Sequence, residues 1–309
     1  MKNNIVGVYH IGDLDGVCSG AIIKYRFGED CRELIPINYG WEFPYHKIDK
    51  DTIVYMSDFS MQPFEDMLKI KEACKSLIWI DHHQSSIEAY NKLGLIIKGK
   101  REIGKAGCEL TWEYLFPNEP TPRSVYLIGR YDVWQHDEDD DALPFQYGMR
   151  NKKTWPIYMP FWSKLFTDSR IVPSTVADGK IILEYQRKND EGYCRAYSFE
   201  TKFEGYKAIV CNKGYGNSKL FDSVYDPIKH DLMIMFVYAP KIEKWKLSFY
   251  TTKDIDLSKL AEKYGGGGHK QASGAEVDIL PFKLGFSQKP NLNKIVKNIR
   301  IDVLKGALG

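Results

Sequence analysis

The sequence lacks the features that mark several classes of protein. Its six cysteines are scattered and form no C-x-x-C pair, so a reducing compartment with free thiols is the simplest interpretation. No apolar stretch is long enough to span a bilayer, which predicts no contact with a membrane. The first residues lead into a predicted strand and not into a signal peptide. We therefore expect a cytoplasmic protein.

A strong charge of either sign is also absent. The formal net charge is +2 and the isoelectric point is near 8.0, which is not the balance of a protein that coats long nucleic acids. No internal repeat is visible. The composition still permits an anionic substrate, provided that positive charge is concentrated locally.

The chain is long enough for two domains of ordinary size. It has 309 residues, of which 43% are hydrophobic and 14% aromatic, so sizeable cores are available. Short β-branched runs alternate with helical patterns, which predicts an α/β protein whose N-terminal domain has a mostly parallel sheet flanked by helices. We expect a catalytic domain at 1–173, a connector helix at 174–197 and a smaller α/β domain at 198–309.

The apolar run 76–80 ends in Asp81-His82-His83. Such a run predicts a buried strand that delivers polar groups at its C-terminal end, where open α/β sheets place their sites. Two imidazoles and a carboxylate at such an edge suit a divalent metal ion. Taken alone, the triplet could equally be a capped turn.

Other predicted element ends carry similar groups. The first strand, at 5–9, is followed by His10, Asp13 and Asp15, where the two carboxylates can lie on the same side of an extended loop. Asp58 follows a strand at 52–56, and Asp132 follows a helix at 123–131. Each Asp could instead cap a helix or turn. Their recurrence favours a shared metal site.

The composition of this set indicates the metal and the chemistry. Carboxylates dominate, with few imidazoles and no thiolate, which favours Mn²⁺ or Mg²⁺ over structural zinc. So many carboxylates in one place would repel each other without cations. Two metal ions about 3.5–4 Å apart would relieve that repulsion and activate a water molecule. The residues therefore predict metal-assisted phosphoester hydrolysis.

The C-terminal part has one pronounced motif, Gly265-Gly266-Gly267-Gly268-His269, which continues to Ser273 and Gly274. Consecutive glycines allow backbone N–H groups to form a concavity for an anion. A flexible loop is the alternative.

Two further segments have simpler predictions. The acidic run 137–141 is expected to be a solvated loop. The aromatic segment 155–162 is expected to pack in the core, with a base-stacking surface as the minority alternative.

Together these motifs resemble the DHH-family phosphoesterases, the superfamily of RecJ exonucleases and nanoRNases, and most closely the nanoRNase B-type branch. They occur in the family's order and cover nearly the whole chain. The resemblance implies that one metal is held by His10, Asp13 and Asp58, and the other by Asp15, Asp58, His82 and Asp132, with Asp58 bridging. It also assigns catalytic roles, in which His83 contacts the substrate and Asp81 orients a histidine. The DHH-associated C-terminal domain would bind substrate across an interdomain cleft through Gly265, Gly266, Gly267, Gly268, His269 and Ser273.

The resemblance implies hydrolysis of very short oligonucleotides to mononucleotides, with two divalent cations, most plausibly Mn²⁺, as cofactors. The chain lacks room for the additional oligonucleotide-binding domain of RecJ-like exonucleases, so no long-DNA partner is expected, and a homodimer is left open. The enzymatic alternatives are a nucleoside 3′,5′-bisphosphate phosphatase, a cyclic or linear dinucleotide phosphodiesterase and, ranked lower, an exopolyphosphatase. A pyrophosphatase is disfavoured by the glycine-histidine segment. The non-enzymatic alternative is a degenerate nucleotide-sensing protein.

Overall fold

A computed structural model describes residues 4–135, 139–268 and 270–283. The chain divides into two compact units, Met1–Glu184 and Tyr185–Gly309. The boundary falls inside one long helix, Ile171–Tyr197, which begins three residues before the predicted connector. The predicted domain functions are not tested by this division.

The first unit is built on a parallel sheet. Its strands, in the order β2-β1-β3-β4, are β1 (Ile5–His10), β2 (Cys31–Ile37), β3 (Ile53–Ser57) and β4 (Ser76–Ile80). The last of these matches its predicted bounds. The second begins and ends earlier than the predicted strand at 34–39. Because all of the strands are parallel, their carboxyl ends lie at one edge of the sheet.

Helices cover both faces of this sheet. Successive side chains of β1 point to opposite faces, since Ile5 belongs to one buried apolar cluster and Val6 and Val8 belong to another. The helices are α1 (Leu14–Phe27), α2 (Asp66–Ala73), α3 (Gln84–Leu93), α4 (Gly107–Leu115), α5 (Arg123–Asp132), α6 (Ala142–Met149), α7 (Met159–Thr167) and α8 (Ile171–Tyr197), with 3₁₀ turns at Gly28–Asp30 and Tyr45–Lys47.

Helix α1 lies unusually close to β1. A Cβ atom on Gly16 would come within 2.2 Å of the backbone oxygen of His10, and one on Gly20 within 2.8 Å of the Tyr9 ring. Both positions therefore require glycine. The close approach brings the first turn of α1 up to the carboxyl end of β1, where His10 lies.

Two of the simpler predictions need adjustment. In the acidic run, Asp139 forms an ion pair with Arg123 at 2.5 Å, so this described member is paired and not freely solvated. In the aromatic segment, Trp162 is fully buried, as expected for core packing, but Trp155 is 66% exposed.

The second unit has a mixed sheet, which confirms the α/β class for both parts of the chain. The strand order is β5-β6-β7-β8-β10-β9, with β6 and β7 parallel and the other neighbours antiparallel. The elements are β5 (Ser198–Phe203), β6 (Tyr206–Asn212), a 3₁₀ turn (Ser218–Phe221), β7 (Leu232–Ala239), β8 (Lys244–Tyr250), α9 (Leu257–Glu262), β9 (Gly267–Gly268) and β10 (Ala272–Val277). Strands β5, β9 and β10 were not predicted.

The glycine segment, predicted to form an anion-binding concavity with a flexible loop as the alternative, is partly paired as a strand. Strand β9 runs antiparallel to β10, with Gly268 opposite Ser273 and Gly267 opposite Gly274. A Cβ atom on Gly266 would come within 2.0 Å of the Gly274 oxygen, so glycine is needed there for close approach of two backbone segments. The glycines thus serve strand pairing, a use that composition alone does not reveal.

Candidate metal centre

The carboxyl edge of the parallel sheet brings the predicted first-unit residues together. His10 ends β1, Asp58 follows β3, and Asp81 follows β4. Asp132, the last residue of α5, joins them there. The resulting groups of potential metal-binding side chains are His10, Asp13 and Asp58; Asp15, His82 and Asp132; and Asp58 with Asp81, His82 and His83.

The first group is centred on His10. Its Nδ1 lies 3.1 Å from Asp13 Oδ2 and 3.6 Å from Asp58 Oδ2. Asp13 also caps α1, since its Oδ1 accepts a hydrogen bond of 3.0 Å from the Gly16 N–H. The capping and metal-binding interpretations of Asp13 are therefore compatible, because the two carboxylate oxygens serve different partners.

The second group is centred on His82. Its Nε2 lies 3.1 Å from Asp58 Oδ1, 3.5 Å from Asp132 Oδ2 and 3.6 Å from Asp15 Oδ2. Asp15 is the second residue of α1, so the extended loop expected around it is wrong. Its helical position still directs the carboxylate into the cluster.

Asp58 lies between the two groups, with Oδ2 3.6 Å from His10 Nδ1 in the first and Oδ1 3.1 Å from His82 Nε2 in the second. Its Oδ1 faces His82, whereas its Oδ2 is buried and has no hydrogen-bond partner. The backbone has φ = 56°, a left-handed conformation that is uncommon outside glycine and is least costly for Asn and Asp. Burial, followed by the charges of Asp15 and Asp13, raises the pKa of Asp58 well above its usual value. An unpaired, buried carboxylate oxygen in a strained backbone is well explained by a bound cation.

The pKa values of the neighbouring groups also indicate a site for cations. Burial, with the charges of Asp15 and Asp58, raises the pKa of Asp132 well above its usual value. Burial lowers the pKa of His10, but the neighbouring Asp13 and Asp58 carboxylates outweigh it and raise that pKa to about 10. Without metal ions the cluster thus retains protons to offset its negative charge. Divalent cations with oxygen and imidazole ligands would replace those protons.

Helix α4 fixes the Asp15 carboxylate, a contact that the sequence interpretation missed. The Gly107 N–H donates to Oδ2 at 2.7 Å and the Cys108 N–H donates to Oδ1 at 2.6 Å. A helix N-terminus stabilises such a negative charge. The small residues at the start of α4, Ala106 just before it and Gly107 as its first residue, were the available signal, but they did not indicate that this helix would meet Asp15.

A buried ion pair links α4 to α5. Arg130 Nη2 donates to Glu109 Oε2 at 2.8 Å, and the same Glu109 oxygen accepts the Ala106 N–H at 3.1 Å. Arg130 lies two residues before Asp132. The pair therefore connects the helix that holds Asp15 with the helix that supplies Asp132.

Asp81 holds His83, and both of its carboxylate oxygens accept hydrogen bonds. Its Oδ1 accepts from His83 Nδ1 at 2.7 Å and from the His82 N–H at 2.8 Å, while Oδ2 accepts from Trp79 Nε1 at 3.2 Å. This fully buried carboxylate is placed to orient a histidine. Within the described residues, His83 Nε2 has no hydrogen-bond partner, so it is available to a ligand.

Strand β2 also contributes to the edge, although no residue of it was predicted there. Asn38, directly after β2, lies with Oδ1 3.3 Å from His10 Nε2. This contact engages the ring nitrogen opposite the one that faces Asp13 and Asp58. Asn38 therefore orients His10 toward the cluster, as outer partners of metal-binding histidines commonly do.

In the second unit, the predicted binding residues have mixed positions. A groove of about 400 Å³ is lined by Lys246, Leu247, Ser248, Gly265, Gly266, Gly274, Ala275 and Glu276. The Gly265 and Gly266 N–H groups donate to Glu262 and Ala261. The Ser273 hydroxyl donates to the Leu257 oxygen at 2.7 Å. Gly267 and Gly268 are exposed, and His269 lies outside the described residues.

Within the part of the chain that the structure describes, no helix combines the length and apolarity needed to cross a membrane.

Comparisons with known proteins agree with this architecture. Residues 218–300 match the model of the DHHA1 domain. An uncharacterized protein, R106 of Acanthamoeba polyphaga mimivirus, is 25% identical over 306 residues, covering 90% of this chain and 69% of the viral protein.

Two solved structures share the fold at 12% identity. One is the DHH domain of PF0399, described as a member of a family of ribosomal proteins, with a TM-score of 0.56 over 90% of this chain and 83% of that one. The other is PggH of Vibrio cholerae, described as a pGpG-specific phosphodiesterase, with a TM-score of 0.50 over 99% of both chains.

The buried carboxylates and imidazoles at the carboxyl edge of the sheet form a set of ligands that suits divalent cations. Residues 218–300 are thus similar to the DHHA1 domain, and the chain shares its fold with the DHH domain of PF0399 and with PggH.

Proposed function

We propose that the protein is a two-metal phosphodiesterase that hydrolyses very short oligonucleotides to mononucleotides. The observation that carries this proposal is the position of Asp58, a buried carboxylate between His10 of one ligand group and His82 of the other, with one oxygen that has no hydrogen-bond partner. His10 and Asp13 would hold one cation with Asp58. Asp15, His82 and Asp132 would hold the other with Asp58. Because the ligands are mainly carboxylates, Mn²⁺ is proposed, with Mg²⁺ as the alternative.

When bound, such cations lower the pKa of a water molecule and offset charge on the phosphoryl oxygens. The protein's own part includes positioning a proton donor. Burial lowers the pKa of His83, but the hydrogen bond to Asp81 and the charges of Asp81 and Asp58 raise it overall. In the imidazolium form, Nδ1 donates to Asp81 and Nε2 can donate to a phosphoryl oxygen or the leaving group.

The substrate is proposed to be short because the chain carries no large excess of positive charge. The second unit has a groove that is lined by glycine backbone and by Lys246, which forms an ion pair with Glu276 at 3.1 Å. We propose that this groove and His269 hold a second phosphate or nucleoside. The name of the Vibrio cholerae protein adds pGpG to the substrates worth testing.

The test is a hydrolysis screen with Mn²⁺ over dinucleotides including pGpG, a nucleoside 3′,5′-bisphosphate, cyclic dinucleotides and polyphosphate. Release of mononucleotide from linear dinucleotides at the highest kcat/KM supports the proposal. A preference for the bisphosphate, the cyclic compounds or polyphosphate would contradict the proposed substrate but would still support metal-assisted phosphoester hydrolysis. Nucleotide binding without any hydrolysis would favour the degenerate sensor.

The role of the glycine segment in substrate binding can be tested separately with a small activated ester, bis-p-nitrophenyl phosphate. His269→Ala should lower kcat/KM for a dinucleotide by roughly ten- to a hundredfold, because a charge-assisted hydrogen bond is lost, and should spare the small ester. His82→Ala should abolish both reactions. Equal losses on both substrates in His269→Ala would mean that this residue supports the chemistry or the fold.

A further inference from the structure

The turn that follows β2 presents two aromatic residues at the carboxyl edge of the sheet. We call residues 38–41 the aromatic turn. The Trp41 N–H donates to the Asn38 backbone oxygen at 3.1 Å, and the Tyr39 N–H donates to Asn38 Oδ1 at 2.8 Å. Gly40 has φ = 80°, which favours glycine. The turn is therefore internally bonded, and Asn38 also ties it to His10.

The Tyr39 ring lies beside the metal-binding cluster. Its centroid is 5.4 Å from that of the His10 ring, 6.5 Å from that of the His83 ring and 5.0 Å from that of the Phe59 ring. Despite these contacts, Tyr39 remains 38% exposed. A ring that touches both a proposed ligand and the proposed proton donor, and still meets solvent, lies within reach of any substrate bound at the metals.

Trp41 adds a second ring in the same turn. It is 52% exposed, and among the described residues it makes no ring contact. Two partly exposed aromatic residues so close in sequence are not needed for the core on this side of the sheet, where Phe43 and Phe59 are buried. Tyr39 lies beside the proposed metal centre and Trp41 is two residues further along the same turn, and exposed aromatic residues so placed are typical of a surface that stacks bases.

We propose that Tyr39 and Trp41 stack the nucleobase of the nucleotide that adjoins the scissile phosphate. This inference rests on the proposed function and adds to it the part of the substrate that the first unit recognises. Because every base has a π-face, such stacking selects phosphoesters that carry a base without choosing which base.

The experiment compares a dinucleotide with the same backbone lacking both bases. Trp41→Ala and Tyr39→Leu should each lower kcat/KM for the dinucleotide by about ten- to a hundredfold and change that for the abasic compound by less than about twofold. Tyr39→Phe, which keeps the ring, should retain most of the dinucleotide activity. Trp155→Ala removes another exposed tryptophan of the first unit and serves as the matched control, with no expected effect on either substrate.

Equal losses on the two substrates would overturn the inference, since they would mean that Tyr39 only supports His10. Unchanged dinucleotide hydrolysis in both Trp41→Ala and Tyr39→Leu would overturn it as well. Binding provides a readout that is independent of hydrolysis: with Mg²⁺ present, AMP should bind wild-type protein more tightly than ribose 5-phosphate, and Trp41→Ala should remove that difference.

The two measurements separate the failure of this inference from that of the proposed function. A wild-type protein that does not cleave dinucleotides contradicts the proposed function. Base-dependent binding that is lost in Trp41→Ala would still support stacking. Equal affinity of wild-type protein for AMP and ribose 5-phosphate would overturn the stacking inference.

Discussion

Gly107 lies directly against Asp58. A Cβ atom at position 107 would come within 2.6 Å of Asp58 Cβ and within 3.1 Å of Asp15 Oδ2. The same residue donates its N–H to Asp15. Gly107 thus contacts Asp58 and holds the Asp15 carboxylate. It therefore helps to set the distance between these two carboxylates in the proposed metal centre.

We predict that Gly107→Ala weakens Mn²⁺ binding by about ten- to a hundredfold, as expected for a change in an outer partner of metal ligands. The added methyl group must displace Asp58 or α4. Isothermal titration of chelated protein with Mn²⁺ gives the affinity. Gly192→Ala is the matched control: it is a helical glycine in α8 where a Cβ atom would meet nothing within 4 Å, so its Mn²⁺ affinity should equal that of the wild type. Wild-type affinity in Gly107→Ala would contradict the packing described here.

Asp58→Asn should separate stability from activity. Asparagine tolerates the left-handed backbone at this position but removes the buried charge, so kcat should fall by roughly 10³-fold or more. The metal-free variant should melt a few degrees above the metal-free wild type, because about 1 kcal/mol shifts the Tm of a unit of this size by roughly 2–4 °C. Asp51→Asn, an exposed residue just before β3, should change neither quantity. A lower Tm in metal-free Asp58→Asn would argue against an unpaired buried charge.

Asp81→Asn should act through His83. Losing the Asp81 charge lowers the pKa of His83, so the protonated form that can donate through Nε2 persists only to a lower pH. We expect kcat to fall by about ten- to a hundredfold near neutral pH and the basic limb of the pH–rate profile to move to lower pH. A uniform loss with an unmoved limb would indicate that Asp81 only supports the fold.

The stability of the metal-free protein should fall as pH rises. The folded-state pKa values of Asp58, Asp132, His10, His82 and His83 are all raised, so the folded chain binds more protons than the unfolded chain. For the histidines, stability is fully present below the unfolded pKa of about 6.5 and is lost toward the raised folded values. The lowered pKa of Asp13 acts in the opposite sense, but at acidic pH.

Bound cations replace these protons, so the rise in Tm on adding Mn²⁺ should be larger at about pH 8 than at about pH 6. Differential scanning fluorimetry at matched ionic strength measures it. In Asp51→Asn the pH dependence should be unchanged. A rise in Tm that is the same at both pH values would contradict the proton exchange proposed for the cluster.

Part of this site could be predicted from the sequence because it depends on local order. A buried strand ending in Asp81-His82-His83 fixes where those side chains emerge, and parallel neighbours place Asp58 at the same edge. The contributions of Gly107 and Asn38 could not be predicted. The first depends on the packing of α4 against α1, and the second on the pairing of β2 with β1. The contact between Gly107 and Asp15 spans 92 positions of the chain.

The glycine segment shows a different limit. Four consecutive glycines are compatible with an anion-binding loop and with tight strand pairing. Which of the two forms depends on whether another segment pairs with them. Here β10 supplies that partner, and Ser273 is paired opposite Gly268. Pairing with a neighbouring segment of the chain, and not composition, therefore decides between the two uses.

The central claim is that two cations bound at the strand-end cluster are required to cleave a short oligonucleotide. The most direct measurement is mononucleotide release from a dinucleotide by exhaustively chelated protein, before and after titration with Mn²⁺, with bound metal quantified in the same samples. The account predicts no release before addition, and activity that appears as about two ions bind per chain. Full activity in the chelated protein, with no metal bound, would contradict it.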